Sequence, residues 1–181
     1  MSFVSFLVIS TSLNAKSRSR IMAHAAREHI LAKGLSCDFI DLREVPLPFC
    51  DVAGCYSDPN VKDVKARIAA ARGIIMATPI YNFDVNAPAK NMVELSGKAW
   101  QNRVLGFICV AGGKGSYMSI MSLGNSLMLD FRTVIVPRFV FALESDIAVD
   151  GTLNNPAIGE RVVELADTVI RFADALLPGS P

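Results

Sequence analysis

The sequence predicts an α/β domain, a three-layer doubly wound architecture with helices on both faces of a five-stranded parallel sheet. Three observations lead there. Short apolar runs alternate strictly with longer helical patterns along the whole chain. The central run, Gly73-Ile74-Ile75-Met76-Ala77-Thr78, is apolar almost without interruption, as a strand covered on both faces requires. The chain has 181 residues, 51% hydrophobic and 19% charged, enough for one well-filled core and too apolar for intrinsic disorder.

Each element follows from local signals. Residues 3–9 form the first strand, and residues 17–33 a helix that stops at Gly34, where a left-handed cap costs a glycine little. Residues 37–42 resume an extended pattern and complete one βαβ period. Pro46, Pro48 and Gly54 mark a loop before a helix over residues 60–72, and the strand over 73–78 follows. A loop over residues 79–86 leads to a helix over 88–98, in which Pro88 suits the first turn because an amide there would lack a partner. The fourth strand spans residues 104–110. Gly112-Gly113-Lys114-Gly115-Ser116 separates it from a helix running to Phe131. Residues 133–136, continued by 138–142, form the last strand, and residues 155–177 the last helix. Without a repeat or linker, residues 1–181 read as a single domain. Right-handed crossovers then place the functional loops at the carboxyl edge of the sheet, after strands one, three and four.

Composition narrows the function. With 18 Lys+Arg against 17 Asp+Glu the formal charge is +1, which gives no field to gather nucleic acid or an anionic membrane surface. Cys37, Cys50, Cys55 and Cys109 contain no C-x-x-C pair and have only His24 and His29 for company, a poor zinc ligand set, so no metal site is expected. The apolar start lacks a basic segment before it, and no run reaches the roughly 18 apolar residues of a membrane span. The protein reads as cytoplasmic with free thiols. His24 and His29 are five apart on one helix and share no face well, which makes them structural or solvated. Cys109, within an apolar strand, reads as core.

The first loop, Ser10-Thr11-Ser12-Leu13-Asn14-Ala15-Lys16-Ser17-Arg18-Ser19, places five hydroxyls and two cations ahead of a helix N-terminus, where a phosphate is favoured. It matches neither G-x-G-x-x-G nor the Walker pattern, and the same residues also suit a polar loop in which Ser17 caps the helix. The third loop carries Tyr81 and Phe83 beside Pro79 and Pro88. These aromatics suit either a flat wall for a planar ring or anchors packed on the core. Lys90 and Asn91 are also compatible with a solvated helix face. Gly112 and Gly113 allow a ligand close to the backbone, and equally form a plain turn.

Taken in order, the Ser-rich first loop, Thr78-Pro79-Ile80-Tyr81-Asn82 ahead of Pro88-Ala89-Lys90-Asn91, and Ala111-Gly112-Gly113-Lys114-Gly115 resemble the NAD(P)H-dependent FMN reductases of the flavodoxin-like fold. The resemblance implies strand order 2-1-3-4-5, FMN as bound cofactor and NAD(P)H as cosubstrate. It implies that Ser10, Ser12, Lys16, Ser17, Arg18 and Ser19 surround the FMN phosphate. Pro79, Ile80, Tyr81, Asn82 and Phe83 would border the isoalloxazine ring, with Gly112, Gly113, Lys114 and Ser116 on its other side. Members typically read G-S-x-R where this chain has Ser10-Thr11-Ser12-Leu13, and Ala87-Pro88-Ala89 replaces the usual glycine before Lys-Asn.

The implied activity is hydride transfer from nicotinamide C4 to flavin N5, then reduction of a small-molecule acceptor by a ping-pong route. That acceptor is a quinone, flavin, azo compound or metal oxyanion. The cofactor would carry the chemistry and the protein would supply position and electrostatics, with no catalytic side chain. An FMN electron carrier without nicotinamide oxidation and a nonenzymatic domain are the alternatives. The resemblance also implies a homodimer or homotetramer. Met118, Met121 and Met128 make the fourth helix apolar around much of its girth, as a helix shared between its own sheet and a partner would be, or as ordinary core.

Overall fold

The computed structural model describes residues 6–176. Residues 3–5 of the expected first strand and residue 177 of the expected last helix lie outside that range. Strand β1 (Phe6–Ser10) pairs in parallel with β2 (Cys37–Asp41) on one side and β3 (Gly73–Tyr81) on the other. Strand β5 (Val104–Ala111) follows β3 in the sheet, also parallel. The fifth position is shared by two short strands, β6 (Val134–Ile135) and β7 (Val140–Leu143), both parallel to β5. The order is therefore β2-β1-β3-β5 with β6 and β7 at the edge, the flavodoxin-like order 2-1-3-4-5.

Period-2 alternation divides the core between two helical layers. Phe6 and Val8 of β1 face α1 (Arg18–Ala32) and α5 (Pro156–Leu176), joining Met22, Ala26, Val162 and Val169 in one cluster. Leu7 and Ile9 face the opposite layer of α2 (Pro59–Ala70), α3 (Ala87–Ser96) and α4 (Met121–Phe131), where they pack with Ile68, Met92 and Leu127. Gly106 lets α5 lie close to the sheet. A Cβ there would come within 2.9 Å of the Val169 side chain. Among the described residues no helix is long and apolar enough to cross a membrane.

Four boundaries differ from the sequence expectation, each for a local reason. Strand β3 does not stop at Thr78. It runs through Pro79 to Tyr81 because Ile80 and Tyr81 pair antiparallel with Val85 and Asp84 of β4 (Asp84–Val85). The fourth helix starts later. Residues Lys114–Ile120 form a 3-10 segment, broken from helical geometry at Ser116, before α4 begins at Met121. The last strand splits because Pro137 has no amide and Arg138 sits at φ +59°, which together end β6 before β7 resumes. The third helix also closes earlier, at Ser96, with Gly97 at φ +49°.

The edge strand β2 is clamped to α2 by Arg67, whose Nε and Nη2 donate to Asp38 at 2.7 and 2.8 Å and whose Nη2 also donates to the Phe39 carbonyl at 2.7 Å. Burial opposes ionisation of Asp38, but the hydrogen bonds from Arg67 and from the Phe39 amide outweigh it and hold the carboxyl below its usual value. A depressed carboxyl contributes stability that is present above the unfolded pKa, about 3.9, and is lost as pH falls through the lower folded value. Arg67→Met is therefore expected to cost about 1–2 kcal/mol at pH 7. Urea midpoints of variant and parent should converge as pH approaches 2; a difference that stays constant with pH would contradict the assignment.

Candidate active site at the carboxyl edge of the sheet

The loop after β1 folds over the start of α1 and encloses a cavity of about 30 Å³. Ser12, Asn14, Lys16, Ser17, Arg18 and Ser19 line it from the loop side; Pro79, Tyr81, Val110 and Glu144 line it from the other. The loop is internally braced. The Asn14 amide donates to Ser12 Oγ at 3.3 Å, and the Lys16 amide to Asn14 Oδ1 at 2.9 Å. Ser17 caps α1, accepting from the Arg20 amide at 3.2 Å, and its hydroxyl lies 2.9 Å from that of Ser19. The first turn of α1 carries no acidic residue, so the positive end of the helix dipole is left uncompensated there.

Arg18 is already committed. Its Nε donates to the Ile147 carbonyl at 2.7 Å, and Nη1 lies 3.6 Å from Glu144. Lys16 is exposed on the cavity rim. Ser10 is placed differently from its neighbours. It is the last residue of β1, fully buried, outside the cavity lining, and its hydroxyl has no partner among the described residues.

A second, open cleft of about 470 Å³ lies between the β3–β4 turn and the loop after β5, lined by Ile80, Asn82, Phe83, Gly112, Gly113, Gly115 and Ser116. Lys114 is exposed and lies outside the lining of both spaces. A Cβ at Gly112 or Gly113 would meet no atom within 4 Å, so these glycines are not needed for packing. They keep the cleft clear instead. The turn opposite is a two-residue hairpin connection with Asn82 at φ +52° and Phe83 at φ +62°. Such a turn favours Asn then Gly, and a phenylalanine in the second position carries a strain of about 1–3 kcal/mol. The Phe83 side chain is nevertheless 71% exposed, so no core contact compensates for it.

Strain without burial marks Phe83 as a wall of the cleft. Phe83→Gly is expected to raise stability by about 1 kcal/mol by relieving the strained turn. It should weaken binding of a planar ring in the cleft about tenfold. Thermal denaturation and flavin titration of the same variant check both signs.

Two residues that sequence reasoning passed over hold the site together. Asn86 precedes α3 in the N-cap position, yet its side chain caps nothing. It is buried, its Oδ1 accepts from the hydroxyls of Thr11 at 2.8 Å and Thr78 at 3.1 Å, and its Nδ2 donates to the Thr11 carbonyl at 2.7 Å. This ties the first loop to the third. Arg20 braces the first loop from below. Its Nε donates to Asp41 at 2.6 Å, Nη1 to the Asn14 carbonyl at 2.7 Å and Nη2 to the Ser12 carbonyl at 2.7 Å. A basic residue in the first turn of a helix opposes the helix dipole, and that is the signal that it has other work.

The histidines and Cys109 stand apart from both spaces. His29 Nε2 lies 2.7 Å from Asp167, and His24 stacks on Phe39 at 4.4 Å between ring centres. Cys109 is buried in β5, and burial pushes its thiol well above the usual range.

The two spaces lie side by side. Along the end of β3, Pro79 and Tyr81 line the small polar cavity while Ile80, Asn82 and Phe83 line the open cleft. A family model described as NADPH-dependent FMN reductase matches residues 4–148, a span that includes all three loops. The chain belongs to that family. This reductase is an FMN-dependent NAD(P)H oxidoreductase that acts on small-molecule acceptors. It is 26% identical over 143 residues to the NAD(P)H-dependent FAD/FMN reductase of Geobacillus thermodenitrificans, covering 77% of each chain. It is 25% identical to the FMN-dependent NADPH-azoreductase of Staphylococcus aureus over 178 residues, covering 93% of this chain and 94% of that one. Among solved structures, the NAD(P)H:(acceptor) oxidoreductase FerB from Paracoccus denitrificans superposes with a TM-score of 0.77 over 95% of this chain and 98% of its own, at 18% identity. That likeness shows the fold.

The residues present fit FMN. The small cavity offers hydroxyls at Ser12, Ser17 and Ser19, the Lys16 ammonium and a helix N-terminus to a phosphate, and the cleft that Cβ atoms at Gly112 and Gly113 would narrow can take a planar ring.

Proposed function

We propose that the reductase holds FMN with its phosphate in the cavity beneath residues 12–19 and its ring in the cleft between Phe83 and Gly113. The observation that carries this reading is the division of residues 79–83 between the two spaces, which suits one ligand with an anionic end and a planar end. FMN, when bound, supplies a flavin N5 that takes hydride from nicotinamide C4 and returns the electrons to a quinone, flavin, azo or metal-oxyanion acceptor. The chain's own task is placement. Ser12, Ser17, Ser19 and Lys16 bind the phosphate, and Arg18, held by Ile147 and Glu144, lines the same cavity beside them. Pro79, Ile80, Tyr81, Asn82 and Phe83 orient one face of the ring. Gly112, Gly113 and Ser116 border the other side without covering it, and Lys114 beside them is free to meet the anionic parts of an incoming nicotinamide dinucleotide.

Because the cleft is open on one side, nicotinamide and acceptor are proposed to use the same space in turn. Steady-state rates with NADPH and a soluble quinone should then give parallel double-reciprocal lines. Intersecting lines would instead require both substrates bound at once, and the shared-space reading would fail.

Two further features support a homodimer or homotetramer and a reducing compartment. Met118, Met121, Met128 and Leu129 are exposed around α4, an apolar surface that suits a second copy. Cys37, Cys50, Cys55 and Cys109 are unpaired, as in a cytoplasmic protein.

A further inference from the structure

The sheet's outer edge contains a feature that the flavin site does not use. Beyond β6 and β7, a cavity of about 490 Å³ opens between that edge and α5. Its size falls within the roughly 300–1,000 Å³ of small-molecule sites.

Three guanidiniums line it: Arg138 from the break between the two edge strands, and Arg161 and Arg171 from α5. None of the three forms an ion pair among the described residues, so no carboxylate contact neutralises their charge. Glu164 is the single carboxylate in the lining, so three positive charges against one negative leave the cavity with a net +2. Arg138 is held at φ +59°, a conformation that costs a side-chain-bearing residue energy and that recurs where ligands are clamped.

The remaining wall is aromatic. Tyr117 lies 5.0 Å from Phe139 and 5.4 Å from Phe141 between ring centres, and all three line the cavity. The Arg171 guanidinium carbon lies 5.8 Å from the centre of the Phe172 ring, a cation–π contact, and both residues line the cavity. Glu164 and Thr168 add polar groups on the same face of α5.

We propose that this cavity binds a nucleoside phosphate, with the phosphate on Arg138, Arg161 and Arg171, the base against the Tyr117 and Phe139 rings, and Glu164 accepting from the sugar hydroxyls. Guanidiniums match phosphate oxygens bidentately, and aromatic faces take any planar base. The proposal does not rest on flavin binding, because no residue of this lining belongs to the cavity or cleft described above. The ligand chemistry has two sources: a free nucleotide, or the adenylate half of the nicotinamide cosubstrate.

The test is calorimetric titration of AMP into the full chain saturated with FMN, and again without FMN. Saturable, sub-millimolar binding in both forms is expected. It should weaken roughly ten- to hundredfold in Arg161→Gln/Arg171→Gln. Both positions are exposed on α5, so the fold is expected to tolerate the change, and circular dichroism melts of the variant check it. Ribose 5-phosphate, lacking the base, should bind at least about tenfold more weakly than AMP. Displacement of AMP by NADPH, with a raised KM for NADPH in the double variant, assigns the cavity to the cosubstrate. AMP binding without that displacement assigns it to a free nucleotide, and both support the site. Absence of saturable binding, binding unchanged in the double variant, or binding abolished by FMN would overturn it.

Discussion

Arg20→Met is expected to unfold at lower urea concentration, with a stability loss of about 3 kcal/mol, and to bind FMN roughly ten- to hundredfold more weakly. The stability loss comes from Asp41, which is 7% exposed and takes 2.6 and 3.2 Å hydrogen bonds from Arg20. Removing the guanidinium leaves a buried carboxylate with little beyond the Arg43 amide at 3.0 Å. The binding loss has a separate origin. The carbonyls of Ser12 and Asn14 lose the donors that fix the loop, and a loop that must be ordered by its ligand binds it less tightly. The double variant Arg20→Met/Asp41→Asn separates the two effects. It should regain much of the stability while FMN affinity stays low, since the loop carbonyls remain unheld. Recovery of both together would mean that Arg20 acts on the site only through global stability.

Gly113→Val is expected to behave in the opposite way. Gly113 has φ −150° and ψ 158°, extended geometry in which a β-branched residue is comfortable, and an added Cβ meets no atom within 4 Å. Stability should change by no more than about 0.5 kcal/mol, and a small gain is consistent with a less flexible unfolded chain. The new side chain enters the cleft, where overpacking against a bound ring costs about 1–3 kcal/mol, or roughly ten- to hundredfold in FMN affinity. Equal melting temperatures with a raised dissociation constant for FMN are the expected pair of results. Unchanged affinity would remove the loop after β5 from the ring site.

The layers of this fold were legible because each depends on patterns that survive tertiary packing. The unbroken apolar run at Gly73 and the apolar run of β1 both follow from burial, and the structure buries them on both faces accordingly. Boundaries set by pairing with distant residues were not legible. Pro79 reads as a strand terminator, yet it occupies a ladder position opposite Val110, and β3 continues because β4 folds back on it. Asn82 and Phe83 were legible only as part of a loop and not as a hairpin, since hairpin turns of this kind are recognised by a glycine that this turn lacks. The break after β6 was legible only as a gap at Pro137 within one strand, because the positive φ of Arg138 carries no sequence signal.

At the site, hydroxyls, prolines and glycines were legible because they stand together in loops whose position follows from strand order. The residues that hold those loops were not. Asn86 stands in the N-cap position before Ala87-Pro88, while its side chain bridges to Thr11, 75 positions earlier. Arg20, a cation in the first turn of a helix, hints at another role, but only the fold brings its partner Asp41, at the end of the neighbouring strand, beneath it. Such roles arise from contacts across the sheet's carboxyl edge, and one-dimensional spacing does not encode them.

The loops at residues 12–19, 79–83 and 112–116 are expected to hold an FMN that NAD(P)H can reduce. The decisive measurement is an anaerobic visible spectrum of the purified protein, reconstituted with FMN and desalted, recorded before and after NADPH. Flavin absorbance that survives desalting and bleaches promptly on addition of NADPH is the predicted result. Loss of flavin on desalting, or retained flavin that stays oxidised with both NADPH and NADH, would contradict it.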